Sequence, residues 1–185
     1  MKQLLTVCAI AAATFAAAPA FAQGYIGGGF GSSRVTGLDF GTISGGNTSK
    51  GLIKVYGGYQ FTPNWGAEAQ YSDLGNRNLF NSANNQTASF KTSQFSIAGT
   101  GTLPLSSGFS VLGKLGVTGN RVTGTPNFGN YATTSALVGV GVGYTITPNW
   151  SARLEYEDFG KVTTVIANGS TVRANAYSLS VKYAF

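Results

Sequence analysis

The side chains that could do chemistry are few in this sequence, and the most informative of them belong to a repeat. The stretches 58–75 and 143–160 are identical at ten of eighteen positions, including the tryptophans Trp65 and Trp150. Three residues after the tryptophan the two copies differ, since one has Glu68 and the other has Arg153. Opposite charges at corresponding positions predict an ion pair between the copies, provided that the fold brings them together.

The same residues argue against catalysis. The chain has no histidine and a single cysteine, Cys8, so a serine or thiol nucleophile has no obvious activating base. Asp73 and Asp158 occupy corresponding positions of the repeat. They could form a carboxylate pair, but an aspartate that forms a turn before glycine is the commoner arrangement. No pattern of metal ligands is visible, and we predict a protein without enzyme activity, metal or cofactor.

The first 22 residues have the pattern of a secretory signal peptide. Lys2 gives a short positive region, 4–18 are apolar, and 20–22 form a cleavage site of the small-x-small type. The apolar run is too short to span a bilayer as a helix. The sequence therefore predicts that residues 1–22 are removed and that residues 23–185 form one exported domain, in a Gram-negative bacterium.

The rest of the chain has the alternation of apolar and polar residues that is typical of β-strands. We predict eight strands, at 24–33, 50–61, 65–74, 89–103, 109–119, 133–146, 150–159 and 174–185. Three short connections alternate with four long ones that are rich in Gly, Asn, Ser and Thr. In the two Thr-Pro-Asn loops Asn64 and Asn149 can take the positive-φ position that a three-residue hairpin loop offers.

Composition indicates which face of the strands lies outside. Charged residues make up 10% of the chain, against about 25% in soluble domains, so they are too few to cover a soluble barrel. A transmembrane barrel closes because lipid cannot satisfy an exposed strand edge. We therefore predict an all-β fold, an eight-stranded antiparallel up-and-down transmembrane β-barrel with both termini in the periplasm. Its predicted aromatic girdle consists of Trp65, Trp150, Tyr71, Tyr156, Tyr177, Tyr183 and Phe185.

These features resemble the small outer-membrane barrels of the OmpA/OmpX type. Residues 144–148 and 153–156 are similar to the penultimate hairpin of the OmpA transmembrane domain, and 25–31 are similar to the first strand of the family. The final strand, which ends in Phe185, resembles the signal that the barrel assembly machinery recognises. The resemblance implies a location in the cell outer membrane. OmpA itself carries a peptidoglycan-binding domain after its barrel, and we do not expect that role here.

Strand alternation predicts which charges enter the lumen. If Trp65 and Trp150 face lipid, the inward set is Lys54, Glu68, Lys114, Arg153, Glu155, Glu157 and Lys182. We expect Glu68 and Arg153 to meet across the lumen, with Lys182 and Glu155 nearby. The network could gate a small-conductance pore or could fill a plugged barrel. The resemblance implies a further Lys–Glu pair beside this one, but Gly143 stands where its glutamate is expected, so we expect no inherited switching gate.

The predicted outer rim is basic, with Arg34, Lys50, Arg77, Lys91, Arg121, Lys161 and Arg173 against Asp39, Asp73 and Asp158. A sequence pI near 9.6 would suit nucleic acid, but the predicted location removes that partner. Phosphates of lipopolysaccharide are the available anions, although the charges could simply solubilise the loops. Members of the resembled family with longer loops act as adhesins or complement-evasion factors. Residues 79–80 and 127–131 could likewise anchor a host-surface or serum protein, or pack loop on loop.

Overall fold

The computed structural model describes residues 23–36, 43–44, 48–81, 86–124, 131–165 and 170–185. The expected signal peptide, Asp39 and most of 127–131 lie outside these ranges. No helix among the described residues has the length and hydropathy that a membrane-spanning helix requires.

Eight long strands form one closed antiparallel sheet, which confirms the predicted barrel. They are β1 (Gln23–Thr36), β2 (Thr48–Gln60), β3 (Trp65–Asn81), β4 (Gln86–Pro104), β5 (Phe109–Gly124), β6 (Tyr131–Thr145), β7 (Trp150–Val165) and β8 (Ser170–Ala184). Each strand pairs with the next along the chain, and β1 pairs with β8 from Tyr25 opposite Ala184 to Thr36 opposite Arg173. A two-residue strand, Ile43–Ser44, pairs with the end of β3. The short turns and the described termini share one end, called here the terminal end, and the opposite end is called the far end.

The strands are longer than the sequence predicted. Two sites at which an aspartate is followed two residues later by a glycine explain part of the difference. Asp73 Oδ1 accepts a hydrogen bond from the Gly75 N–H at 2.9 Å, and Asp158 Oδ1 accepts one from the Gly160 N–H at 2.8 Å. Both glycines have positive φ, 76° and 63°, and the strand register shifts at both sites. They are bulges rather than ends of strands. The predicted ends at 74 and 159 are therefore wrong, since pairing resumes beyond each bulge.

The Thr-Pro-Asn loops tie each repeated hairpin to the strand beside it. Asn64 Nδ2 donates to the Thr102 carbonyl oxygen at 2.9 Å, and Asn149 Nδ2 donates to the Ala184 carbonyl oxygen at 2.8 Å. Neither asparagine has a positive φ, so that interpretation is wrong. The hydrogen bond of the side-chain amide better explains why asparagine occupies this position. The amide donates to a carbonyl group at the end of the neighbouring strand.

The barrel is apolar outside and charged inside, the reverse of a soluble protein. On the outer face Phe30, Ile53 and Leu115 are between 68% and 69% exposed, whereas the inward Lys54 and Glu157 are 1% and 0% exposed. Glycine allows the two closing strands to approach each other. A Cβ atom added to Gly31 of β1 would overlap the carbonyl oxygen of Tyr177 in β8.

Candidate functional site: the lumen and the basic rim

The two charges singled out by the repeat meet inside the barrel. Arg153 Nη1 donates to Glu68 Oε2 at 2.8 Å, and both side chains are at least 95% buried. Each residue lies three positions after the tryptophan that begins its strand, on β7 and β3, so the two have similar heights. Tyr25 also donates its hydroxyl to Glu68 Oε2, at 3.1 Å. One carboxylate oxygen of β3 thus receives two donors, one from β1 and one from β7.

Lys114 is the centre of the ionic network. Its Nζ lies 2.6 Å from Glu68 Oε1, 2.7 Å from Glu155 Oε1 and 3.2 Å from Glu157 Oε1. It also donates to Gln70 Oε1 at 3.3 Å. A single buried ammonium therefore contacts three carboxylates, all of which are at least 97% buried.

Lys54 completes the network from another side of the barrel. Its Nζ lies 2.5 Å from Glu155 Oε2 and 3.1 Å from Glu157 Oε2. We call the six ion-paired residues the charge layer: Lys54, Glu68, Lys114, Arg153, Glu155 and Glu157. Three cations balance three carboxylates in this layer. None of its ion pairs joins two neighbouring strands, because they connect β2 with β7, β3 with β5, β3 with β7 and β5 with β7.

Lys182 does not join the network, contrary to the sequence prediction. It forms no ion pair among the described residues. Its Nζ instead lies 5.1 Å from the ring centroid of Tyr25, and the Arg153 guanidinium lies 5.2 Å from the same ring. Tyr56 packs edge-on against Tyr25, with ring centroids 6.4 Å apart. The sequence prediction missed both tyrosines, although alternation from Lys54 to Tyr56 would have placed the latter inside.

An apolar layer begins beside the charge layer, where Ala98 faces Glu68 and Ala176 faces Glu157, and extends toward the far end. It consists of Val35, Leu52, Leu74, Ala98, Leu137, Phe159, Ala174 and Ala176, each at most 5% exposed. Leu74 lies six residues beyond Glu68 on β3, and Phe159 lies two beyond Glu157 on β7. The sequence prediction missed this layer because it placed Leu74 and Phe159 at the ends of strands. In the part of the lumen that the structure describes, charged, apolar and neutral polar side chains occupy the interior, the last group including Gln94 and Asn120.

The predicted girdle residues all lie on the outer face, in two bands. Trp65, Trp150, Tyr183 and Phe185 lie toward the terminal end. The far-end band is Tyr71, Tyr156 and Tyr177. Neighbouring strands pair these rings, with centroids 4.9 Å apart for Trp150 and Tyr183 and 4.8 Å apart for Tyr156 and Tyr177. Such rings are typical of the two membrane–water interfaces.

The predicted rim cations lie at the far end, in strands rather than in loops. The exposed ones are Arg34, Lys50, Lys91, Arg121, Lys161 and Arg173. Arg77 pairs through its backbone with Phe90, and its side chain lies outside the described part. Lys91 forms an exposed ion pair with Asp73, with the ammonium 2.8 Å from Oδ2. Exposed pairs of this kind stabilise little.

Three of the rim cations are neighbours, and we call them the rim row: Arg34, Lys161 and Arg173. Lys161 of β7 lies directly opposite Arg173 of β8, and Arg173 lies diagonal to Arg34 of β1, which faces Asn175. Like charges directly opposite one another destabilise a sheet. At the terminal end, none of the charged residues that the structure describes is exposed.

Comparisons with known proteins agree with this architecture. The family described as outer membrane protein beta-barrel domain matches residues 4–185. No curated protein matches the sequence.

Three solved structures illustrate the shared fold. Ail of Yersinia pestis, in complex with the heparin analogue sucrose octasulfate, is 18% identical with a TM-score of 0.60, over 89% of this chain and 99% of that one. Neisserial surface protein A is 19% identical with a TM-score of 0.60, over 88% and 97%. OprG of Pseudomonas aeruginosa is 14% identical with a TM-score of 0.62, over 89% and 96%.

Proposed function

The chain belongs to the outer membrane protein β-barrel family, and from that premise we propose that it is a structural barrel of the cell envelope whose basic rim binds lipopolysaccharide. The fold and the location in the outer membrane follow from the family. The proposal adds that the far end faces the cell exterior and that both termini face the periplasm. The observation that carries it is the rim row of three adjacent cations.

The rim cations stand at a height that suits lipid phosphates. Arg34 lies four residues beyond Phe30 on the same outward face of β1, and Arg173 lies four beyond Tyr177 on β8. Four residues span about 13 Å along a strand, which moves each charge out of the apolar belt and into the zone of the headgroups. Arginine binds phosphate through two parallel N–H groups.

The arrangement of the rim row also supports an anionic partner. Arg34, Lys161 and Arg173 have no ion pair among the described residues. Their mutual repulsion would be relieved by an anion that bridges them. Ail, which has the same fold, has been solved with sucrose octasulfate, a polyanion. The low identity of the two chains limits that likeness to the fold.

The filled lumen favours a structural role over conduction. The charge layer and the apolar layer leave Glu157 and Phe159, on successive inward positions of β7, fully buried. Surface recognition remains a separate hypothesis. It depends on 79–80 and 127–131, whose side chains lie outside the described residues.

Lipopolysaccharide binding can be tested with two charge-matched double variants. We expect Arg34→Gln with Arg173→Gln to weaken binding about 30-fold, since each basic residue near an anionic surface contributes about 1 kcal/mol. Lys91→Gln with Arg121→Gln removes the same charge from β4 and β5 and should have a smaller effect, because Lys91 is already paired with Asp73.

The measurement is a titration of folded protein in micelles with lipopolysaccharide and with its dephosphorylated form. If the Arg34 and Arg173 variant kept wild-type affinity for the phosphorylated form, lipopolysaccharide recognition by the rim row would be wrong. For surface recognition, serum-protein and host-cell binding should be compared with and without 127–131.

A further inference from the structure

A small cavity opens at the terminal end of the barrel, below the charge layer. Its volume is about 210 Å³, and its lining includes Lys182, Arg153, Ser110 and Ser151. No Asp or Glu of the described chain is part of that lining. Given about 30 Å³ for a water molecule, the cavity holds a few waters or one small solute. Pockets for drug-sized ligands begin near roughly 300 Å³.

The cavity contains a cation without a counter-charge. The charge layer is balanced, with three cations and three carboxylates, and Lys182 adds one further positive charge to the interior. This lysine is half-buried and forms no ion pair among the described residues. Its Nζ lies 5.1 Å from the Tyr25 ring. A cation–π contact compensates only part of the loss of hydration.

Two further groups offer hydrogen bonds to the same space. Arg153 uses Nη1 for Glu68, and a guanidinium has five N–H donors in all. Ser151 Oγ is buried and has no hydrogen-bond partner in the described part of the chain. A buried hydroxyl without a partner is unfavourable. Two cations and a hydroxyl thus surround one small volume.

We propose that this cavity binds a small oxyanion of the phosphate type, with Lys182 and Arg153 as its charged ligands and Ser151 as a hydroxyl donor. A tetrahedral oxyanion offers several acceptor oxygens, which match an ammonium, a guanidinium and a hydroxyl at once. The site is separate from the rim row, which lies at the opposite end of the barrel. It therefore does not depend on lipopolysaccharide binding.

The test is calorimetric titration of the folded full chain in zwitterionic micelles with inorganic phosphate, at constant ionic strength. We expect saturable binding that Lys182→Met weakens at least tenfold, as for the loss of one charge-assisted hydrogen bond. Lys50→Met removes the same charge at the far end and should leave phosphate affinity within twofold of wild type. Non-saturable phosphate uptake, or equal affinity of Lys182→Met and wild type, would overturn the proposal.

A second measurement keeps the test valid if the variant folds differently. Because Lys182 has no carboxylate partner among the described residues, Lys182→Met loses no ion pair. In chloride buffer without phosphate it loses only the cation–π contact with Tyr25 and should be nearly as stable as wild type toward urea. A marked loss of stability would show that the lysine already has a counter-charge, and the proposal would then be wrong.

Discussion

Lys114 should be the residue on which the barrel interior depends most. Its ammonium contacts all three carboxylates of the charge layer, at 2.6, 2.7 and 3.2 Å. The substitution Lys114→Met keeps most of the stem and removes the charge. The layer then contains two cations, Lys54 and Arg153, and three carboxylates, so its net charge changes from zero to −1.

The expected loss of stability follows from that imbalance and from the number of carboxylates that lose a contact, which is three for Lys114 and one for Arg153. Breaking a buried ion pair costs about 3–5 kcal/mol, because the remaining charge has no compensation. We expect Lys114→Met to fall in this range. Arg153→Met should cost only about 1.5–3 kcal/mol, the value of a hydrogen bond to a charged group. Its partner Glu68 keeps Lys114 at 2.6 Å and the Tyr25 hydroxyl at 3.1 Å.

The assay is urea unfolding of the barrel in lipid vesicles, followed by tryptophan fluorescence and by mobility on a cold denaturing gel. The double variant Lys114→Met with Glu157→Gln restores two cations and two carboxylates. It should be more stable than Lys114→Met alone by at least about 1 kcal/mol. Equal stability of the Lys114 and Arg153 variants, or no recovery in the double variant, would refute the assignment of Lys114 as the centre of the network.

Three further predictions concern the contact between β1 and β8, the apolar layer and ion conduction. Gly31→Ala should cost about 1–3 kcal/mol in urea unfolding because its Cβ overlaps the carbonyl oxygen of Tyr177. Gly113→Ala, whose Cβ would have nothing within 4 Å, is the control and should change stability by less than about 0.5 kcal/mol. Phe159→Ala should cost about 3–5 kcal/mol. In planar bilayers, wild type should show no steady channels, and steady channels that Arg153→Ala alters would contradict the filled lumen.

The sequence predicted the barrel because its signals are local and regular. Alternation counted from Trp65 and Trp150 placed Glu68 and Arg153 on the inner face, and the repeat gave them equal heights. Counting alternate residues gave the wrong strand ends where a bulge places an extra residue in one of two paired strands. The Asp73 and Asp158 bulges shift the register, which only the partner strand reveals.

The environment of Lys182 could not be predicted in the same way. Alternation sends it inward with Lys54 and Lys114, but it gives no distance to a carboxylate across the lumen. The structure shows that Lys114 occupies the centre of the layer, within reach of all three glutamates. Lys182 is left below them, beside Tyr25. Which lysine forms ion pairs with the glutamates depends on the stagger of the strands and on the reach of each side chain. The alternation of residues along a strand specifies neither.

The ion pairs of the charge layer have a consequence for the order of assembly. Each joins strands that are not neighbours, such as β3 with β7 or β2 with β7. A growing sheet can therefore complete its backbone ladder hairpin by hairpin while these charges stay unpaired. The pairs that Lys54 of β2 makes with Glu155 and Glu157 of β7 become available only when the first and last strands meet, because β2 reaches β7 through β1 and β8. An open or misregistered sheet would carry unpaired charges that lipid tolerates poorly. The charge layer thus links insertion of the protein into the membrane to closure of the barrel.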